Sequence, residues 1–327
     1  MGGGGNYYDR DTNDGYARSA GTGVSKQAEQ MMSRSKIDPG LLTRDRTLIT
    51  EAESPVVYAF DVTGSMGNLP AIICDKMPLV AGQITENGYL KDPAMSLAAV
   101  GDIQSDQAPI QVCDFSAVRN LDNWLKRIWR EGNGGGQTSE SYEFTAYFYA
   151  RYCQMPKAVT PFFLITGDED YRDTLYPNDL KRHFGREHKA IESSEVFAEL
   201  KQKFRGNVFL IHRKYGDADE RIVRRWQSVL DDEHVLRLGS DQAIADVTLG
   251  LFAIMTGSRT LEEYLDDMRT KRVRAQTDSR INEVRETLSP LLNIRPARRT
   301  TQEKAKEGEE APSNKPPEKR KAEGGKK

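Results

Sequence analysis

The chain has 327 residues and a near-neutral balance, 47 Lys/Arg against 49 Asp/Glu. That length can bury a stable core without disulfides, and three scattered cysteines with no Cys-x-x-Cys pair or His cluster exclude a disulfide scaffold and a zinc-finger module. No apolar run reaches the ~18–20 residues of a membrane span, and the Gly-rich, polar N-terminus lacks the apolar region of a signal peptide, so a cytoplasmic, reducing setting is expected.

Residues 1–48 are poor in apolar side chains and open on the run Gly2 to Gly5, which reads as a flexible extension. The continuous apolar run Val56 to Phe60 predicts a strand buried on both faces. Leu69, Ile72, Ile73, Met77, Val80, Ala81 and Ile84 then follow helical spacing. Met95 to Asp102 and Ile110 to Phe115 predict two strands. The connection between them is too short for a parallel crossover, so an antiparallel hairpin is expected. Leu121, Trp124, Leu125, Ile128 and Trp129 predict an amphipathic helix.

A Gly-rich loop, Gly132 to Thr138, leads into a helix predicted from Ser139 to Gln154. Thr160 to Thr166 predicts a strand ending in Gly167-Asp168-Glu169-Asp170, followed by a long polar loop through Arg186. Helices at 194–204 and 220–230 alternate with strands at 207–213 and 234–238, and 241–255 is a strongly apolar helix. Strands alternating with helices predict an α/β fold with a doubly wound, mostly parallel sheet, one antiparallel edge strand and helices on both faces. That body spans 49–258. Thr260-Leu261-Glu262-Glu263 opens a charged C-terminal helix over 259–292 with a capping box. All three cysteines, Cys74, Cys113 and Cys153, read as buried free thiols.

Residues 293–327 form a basic tail. From Pro296 onward it holds 10 Lys/Arg and 6 Glu, a charge of +4, which leaves 37 basic and 43 acidic residues, −6, on the rest of the chain. Interleaved Glu and Pro, with no aromatics, favour a solvated disordered tail over a nucleic-acid tether.

The chemistry concentrates at the end of the first strand. Asp61, Thr63 and Ser65 place a carboxylate and two hydroxyls at alternate positions on a turn, at the strand end where open α/β sheets bind ligands. Three oxygen ligands suit a hard cation, with Mg²⁺ the usual one and Mn²⁺ or Ca²⁺ the alternatives. This stretch resembles the first ligand loop of the von Willebrand factor A (VWA) domain, whose metal-ion-dependent adhesion site (MIDAS) reads Asp-x-Ser-x-Ser, with Thr63 here in place of the first Ser. The resemblance extends over Pro55 to about Gly257 through the order of strands and helices, which implies a VWA/Rossmann-like fold. It also implies that a Thr from the Gly-rich loop joins the site, which by position is Thr138, with Ser139 the neighbouring alternative. An Asp after a later strand completes the set, and Asp168 fits. The commonest family form places Asp before Gly, whereas Gly167 precedes Asp168 here.

A VWA domain with such a site normally binds rather than transforms. The resemblance therefore implies a non-enzymatic, metal-dependent interaction module, a cytoplasmic adaptor that takes a Glu or Asp of a partner protein on the cation. Intracellular relatives often serve beside AAA+ ATPases. Two alternatives stand: an assembly protein whose termini drive association, and a hydrolase using the Asp61 to Ser65 loop. The second lacks the Gly that a nucleophile elbow needs two residues before Ser65, because Thr63 is there.

Overall fold

The computed structural model describes residues 36–117, 120–130, 139–186, 188–214, 216–270 and 276–294. Its centre is a six-stranded sheet. We number its strands β1 (Ser54–Asp61), β2 (Pro93–Val100), β3 (Ile110–Val112), β4 (Phe162–Gly167), β5 (Val208–Arg213) and β6 (Val235–Leu238). The helices are α1 (Leu69–Glu86), α2 (Leu121–Leu125), α3 (Tyr142–Tyr152), α4 (Pro177–Phe184), α5 (Ser193–Lys203), α6 (Asp219–Leu230), α7 (Ile244–Met255), α8 (Leu261–Thr270) and α9 (Asp278–Leu288).

The strand order is β6-β5-β4-β1-β2-β3. Every pairing is parallel except β2 with β3, the antiparallel hairpin expected from its short connection. The chain builds outward from β1 through β2 and β3, then returns to the other side of β1 for β4, β5 and β6. The order therefore reverses between β1 and β4, where the strand ends leave a crevice.

Alternate residues of each strand feed two cores. Val56, Tyr58 and Phe60 join Leu164, Phe209 and Ile211 under α1, α7, α8 and α9. Val57 and Ala59 join Phe163, Ile165 and Leu210 under α3, α4, α5 and α6. Burial on both faces is the reason β1 is apolar without alternation.

Local competition reshapes several expected elements. The helix expected through Trp129 stops at Leu125. The Gln111 side chain donates to the Trp129 carbonyl at 2.6 Å and accepts the Trp129 N–H at 2.8 Å, so Trp129 pairs with a strand residue instead of a helix turn. The helix expected over Ser139–Gln154 is trimmed at both ends. Ser139–Glu140 pairs with Asp170–Tyr171, and Cys153–Gln154 pairs with Leu48–Ile49. The polar loop before Arg186 contains α4, which starts on Pro177 and buries Leu180 and Phe184.

Residues 36–48, grouped with the flexible extension by composition, place Leu41 and Leu48 in the core. Arg46 there donates to the Val112 carbonyl at 2.5 Å and meets Asp114 at 2.6 Å. At the other end, Thr260 and Glu263 exchange the two bonds of a capping box: Thr260 N donates to Glu263 Oε2 at 2.7 Å and Glu263 N donates to Thr260 Oγ1 at 3.2 Å. Ile281, Val284 and Leu288 of α9 are buried in the same core as α1 and α7. Residues 1–35 and 295–327 lie outside the described residues. Cys74, Cys113 and Cys153 are free and buried, and burial raises all three thiols. Among the described residues, no helix is long and apolar enough to cross a membrane.

Candidate functional site

The register of the sheet sets the geometry of the crevice. Phe60 pairs with Thr166, and Gly167 pairs with His212. One residue on, Asp61 is level with Gly167, and Asp168 is level with Arg213, so three charged residues cluster within one step of each other at the carboxyl ends of β1, β4 and β5.

Asp61 is fully buried and starts a continuous chain of hydrogen bonds. Its Oδ1 accepts the Thr63 N–H at 2.7 Å and the Thr63 hydroxyl at 2.5 Å. Thr63 Oγ1 lies 3.2 Å from Ser65 Oγ, and the Ser65 hydroxyl donates to Asp168 Oδ1 at 3.0 Å. Four of the five residues expected to bind metal are thus joined side chain to side chain. The fifth, Thr138, lies outside the described residues. Ser139 is engaged as strand, opposite Asp170, and its carbonyl accepts from Arg172 at 3.4 Å.

Sequence reasoning missed three residues here. The Tyr142 hydroxyl, from the first turn of α3, donates to Asp61 Oδ2 at 2.6 Å. Arg130 spans the turn from one side, donating to the Val62 carbonyl at 3.2 Å and the Gly67 carbonyl at 2.9 Å. Gly67 has φ +54°, a left-handed conformation that favours glycine and lets the turn close. Arg213 donates to the Ser65 carbonyl at 3.0 Å and to Asp241 Oδ1 at 3.0 Å. A charged residue ending the buried strand β5 was the available signal for Arg213. Tyr142 had none, because a helix-start tyrosine between Ser141 and Glu143 looks like any core aromatic.

Gly167 is fixed by its neighbour Tyr142. A Cβ there would fall on the Tyr142 hydroxyl and ring, so only glycine admits that side chain beside Asp61.

Buried carboxyl groups crowd the site, and their burial and mutual repulsion resist ionisation. Burial, then the Asp61 carboxylate and to a lesser degree Glu169, push Asp168 up to about 7, against the opposing effects of the Ser65 bond and Arg213. Burial and then Asp106 raise Asp61 against the hydrogen bonds from Thr63 and Tyr142. Glu140 is raised to about 10 by burial and by Asp61, Asp102, Asp106 and Glu169. Burial and then Asp61 also hold Tyr142 well above the usual phenol range, so its hydroxyl stays a donor. Asp170 is matched by Arg221 at 2.8 Å and Arg225 at 2.5 Å. Asp168 Oδ2 is buried and accepts no hydrogen bond among the described residues, with the Arg213 guanidinium 3.7 Å away.

Among the described residues, no group of three or more His, Cys, Asp or Glu side chains is arranged to hold a metal ion. The candidate set is of another composition, two carboxylates and two hydroxyls, with oxygen donors of the hard kind. An acceptor oxygen left bare in a buried, doubly acidic site fits a cation, since a buried charge without a partner is costly. The Ser65 hydroxyl bonds Thr63 and Asp168.

No family model and no curated protein matches the chain. Among solved structures, the chain is similar to the pilus adhesin SpaC from Lactobacillus rhamnosus GG in its open conformation, at TM-score 0.43 and 9% identity, over 66% of this chain and 33% of that one. It is also similar to proximal thread matrix protein 1 from the mussel byssus, at TM-score 0.41 and 10% identity, over 64% and 63% of this chain in two crystal forms whose own coverage is 48% and 49%. The chain therefore spans about a third of the adhesin's length and about half of the mussel protein's.

Proposed function

We propose that this protein is a cytoplasmic, VWA-type interaction module that binds a partner protein through a divalent cation, Mg²⁺ in the first instance. Thr63, Ser65 and Asp168 would hold the ion, Asp61 would orient Thr63 from behind, and Thr138 would join them. When bound, the ion supplies an open coordination position that a Glu or Asp of the partner fills, a charge-assisted anchor. The protein's own contribution is to bring two hydroxyls and a carboxylate together, with Thr63 and Asp168 buried and Ser65 partly so. The strand order, with its reversal between β1 and β4, supports the VWA/Rossmann-like winding.

The observation that carries this reading is the bonded chain from Asp61 through Thr63 and Ser65 to Asp168, ending on a buried carboxylate oxygen with no hydrogen-bond partner among the described residues. Capture of partners from native lysate, with wild type and Asp61→Ala, each in Mg²⁺ and in EDTA, tests it. A partner retained only by wild type in Mg²⁺ is the expected result. Equal capture in all four conditions would refute the cation-bridged reading and move association to other surfaces.

A further inference from the structure

Asp61 has a partner on each carboxylate oxygen, and the two partners do different things. Oδ1 takes both the N–H and the hydroxyl of Thr63, at 2.7 and 2.5 Å. The Thr63 proton is thereby committed to Asp61, and its lone pairs are left for Ser65 and the crevice. Oδ2 takes only the Tyr142 hydroxyl, at 2.6 Å. A carboxylate's terminal torsion is soft, so one anchored oxygen leaves the group free to turn. Two anchors at opposite oxygens fix its plane, and with it the direction of the Thr63 hydroxyl.

Tyr142 is itself held on two further sides. Its ring packs edge-on against Trp226 at 5.4 Å, and Trp226 is pinned by its indole N–H on the Glu169 carbonyl at 3.1 Å. On the other side is Gly167, where any Cβ would strike the phenol. The residue before Asp168 is therefore small for the sake of the group that orients Asp61.

We infer that Tyr142 is a positioning residue of the cation site, fixing the Asp61 carboxylate so that Thr63 faces the ion, and that Gly167 is the space it requires. This rests on the proposed cation-binding reading. Second-shell partners of metal ligands are worth 10–100-fold in affinity in general, and a loss of about that size is expected here when the phenol oxygen is removed.

The test is calorimetric titration of Mg²⁺ or Mn²⁺ into the full chain, for wild type, Tyr142→Phe, Gly167→Ala and Tyr149→Phe, with melting temperatures in EDTA and in saturating cation. Tyr149 is the control. It is a buried tyrosine of the same helix whose hydroxyl lies 2.6 Å from Ser96 Oγ instead of from Asp61. Tyr142→Phe should weaken the cation by about 10–100-fold and shrink the cation-induced rise in melting temperature. Gly167→Ala keeps the tyrosine but displaces its hydroxyl, and should weaken the cation likewise. Tyr149→Phe should lower both melting temperatures together and leave the affinity unchanged. Wild-type affinity in Tyr142→Phe would overturn the inference while leaving the cation site standing. Absence of binding by wild type would overturn the site itself and this inference with it.

Discussion

Replacing Asp168 by Asn should make the cation-free protein more stable at neutral pH while removing its response to Mg²⁺. The folded protein raises this carboxyl from 3.8 to about 7, chiefly by burial and then by Asp61. Below about pH 4 it is protonated in both the folded and unfolded chain and contributes nothing. Between about pH 5 and 7 the unfolded chain has released the proton and the folded one still holds it, so stability falls by about 1.4 kcal/mol per pH unit. Over those two units this amounts to about 3 kcal/mol, and above about pH 7 the loss levels off. Asparagine carries no proton in either state, and its side-chain oxygen can still accept the Ser65 hydroxyl. The advantage of Asp168→Asn over wild type should therefore grow by about 2–3 kcal/mol from pH 5 to pH 8 in EDTA. Urea unfolding of both proteins at several pH values, compared at equal m, measures it. Mg²⁺ at 100 times its Kd should then return about 2.7 kcal/mol to wild type and nothing to the variant. A stability difference that does not change with pH, or a variant less stable than wild type at pH 8, would refute the reasoning.

Other perturbations separate the turn from the body. Arg130→Ala removes both donors from the Val62 and Gly67 carbonyls. It should cost about 1–3 kcal/mol in urea unfolding, and a cost below about 0.5 would show that water replaces the guanidinium. Leu288→Ala empties a fully buried position of α9 and should cost about 2–5 kcal/mol, with a single cooperative transition retained. A separate early transition on melting would instead make the C-terminal helices an independent unit.

The C-terminal helices show how composition and packing divide the information. The charge density around Arg269 to Arg280 reads as an exposed arm, yet the Ile281, Val284 and Leu288 stripe is buried beside α7. A charged face says only that one side meets water, and it is silent on what the other side covers. Residues 36–48 repeat the lesson, since Leu41 and Leu48 are too sparse to signal an element but fill the core from a single 3-10 turn and a two-residue strand.

Backbone competition set the boundaries that periodicity missed. The stripe Leu121 to Trp129 has helical spacing, and the Gln111 amide breaks it from a residue distant in sequence. Likewise, α3 loses its ends to short strand pairings with segments far along the chain.

What the sequence determined by itself was the layered arrangement and the front of the site. The apolar run of β1 and the hairpin length are local properties, as are the Asp61, Thr63 and Ser65 spacing and the Asp168 after β4. A strand's burial and a turn's side-chain directions follow from a few consecutive residues. What only the tertiary structure decided was the back of the site. Tyr142, Arg130 and Arg213 arrive from other elements, and only Arg213, a charge ending the buried strand β5, carries a local signal. Gly167 before Asp168 looked like a departure from the commoner order, until the phenol that occupies its missing side chain came into view. Orientation by a second residue depends on distances across the sheet, and those exist only once the register of β1, β4 and β5 has formed.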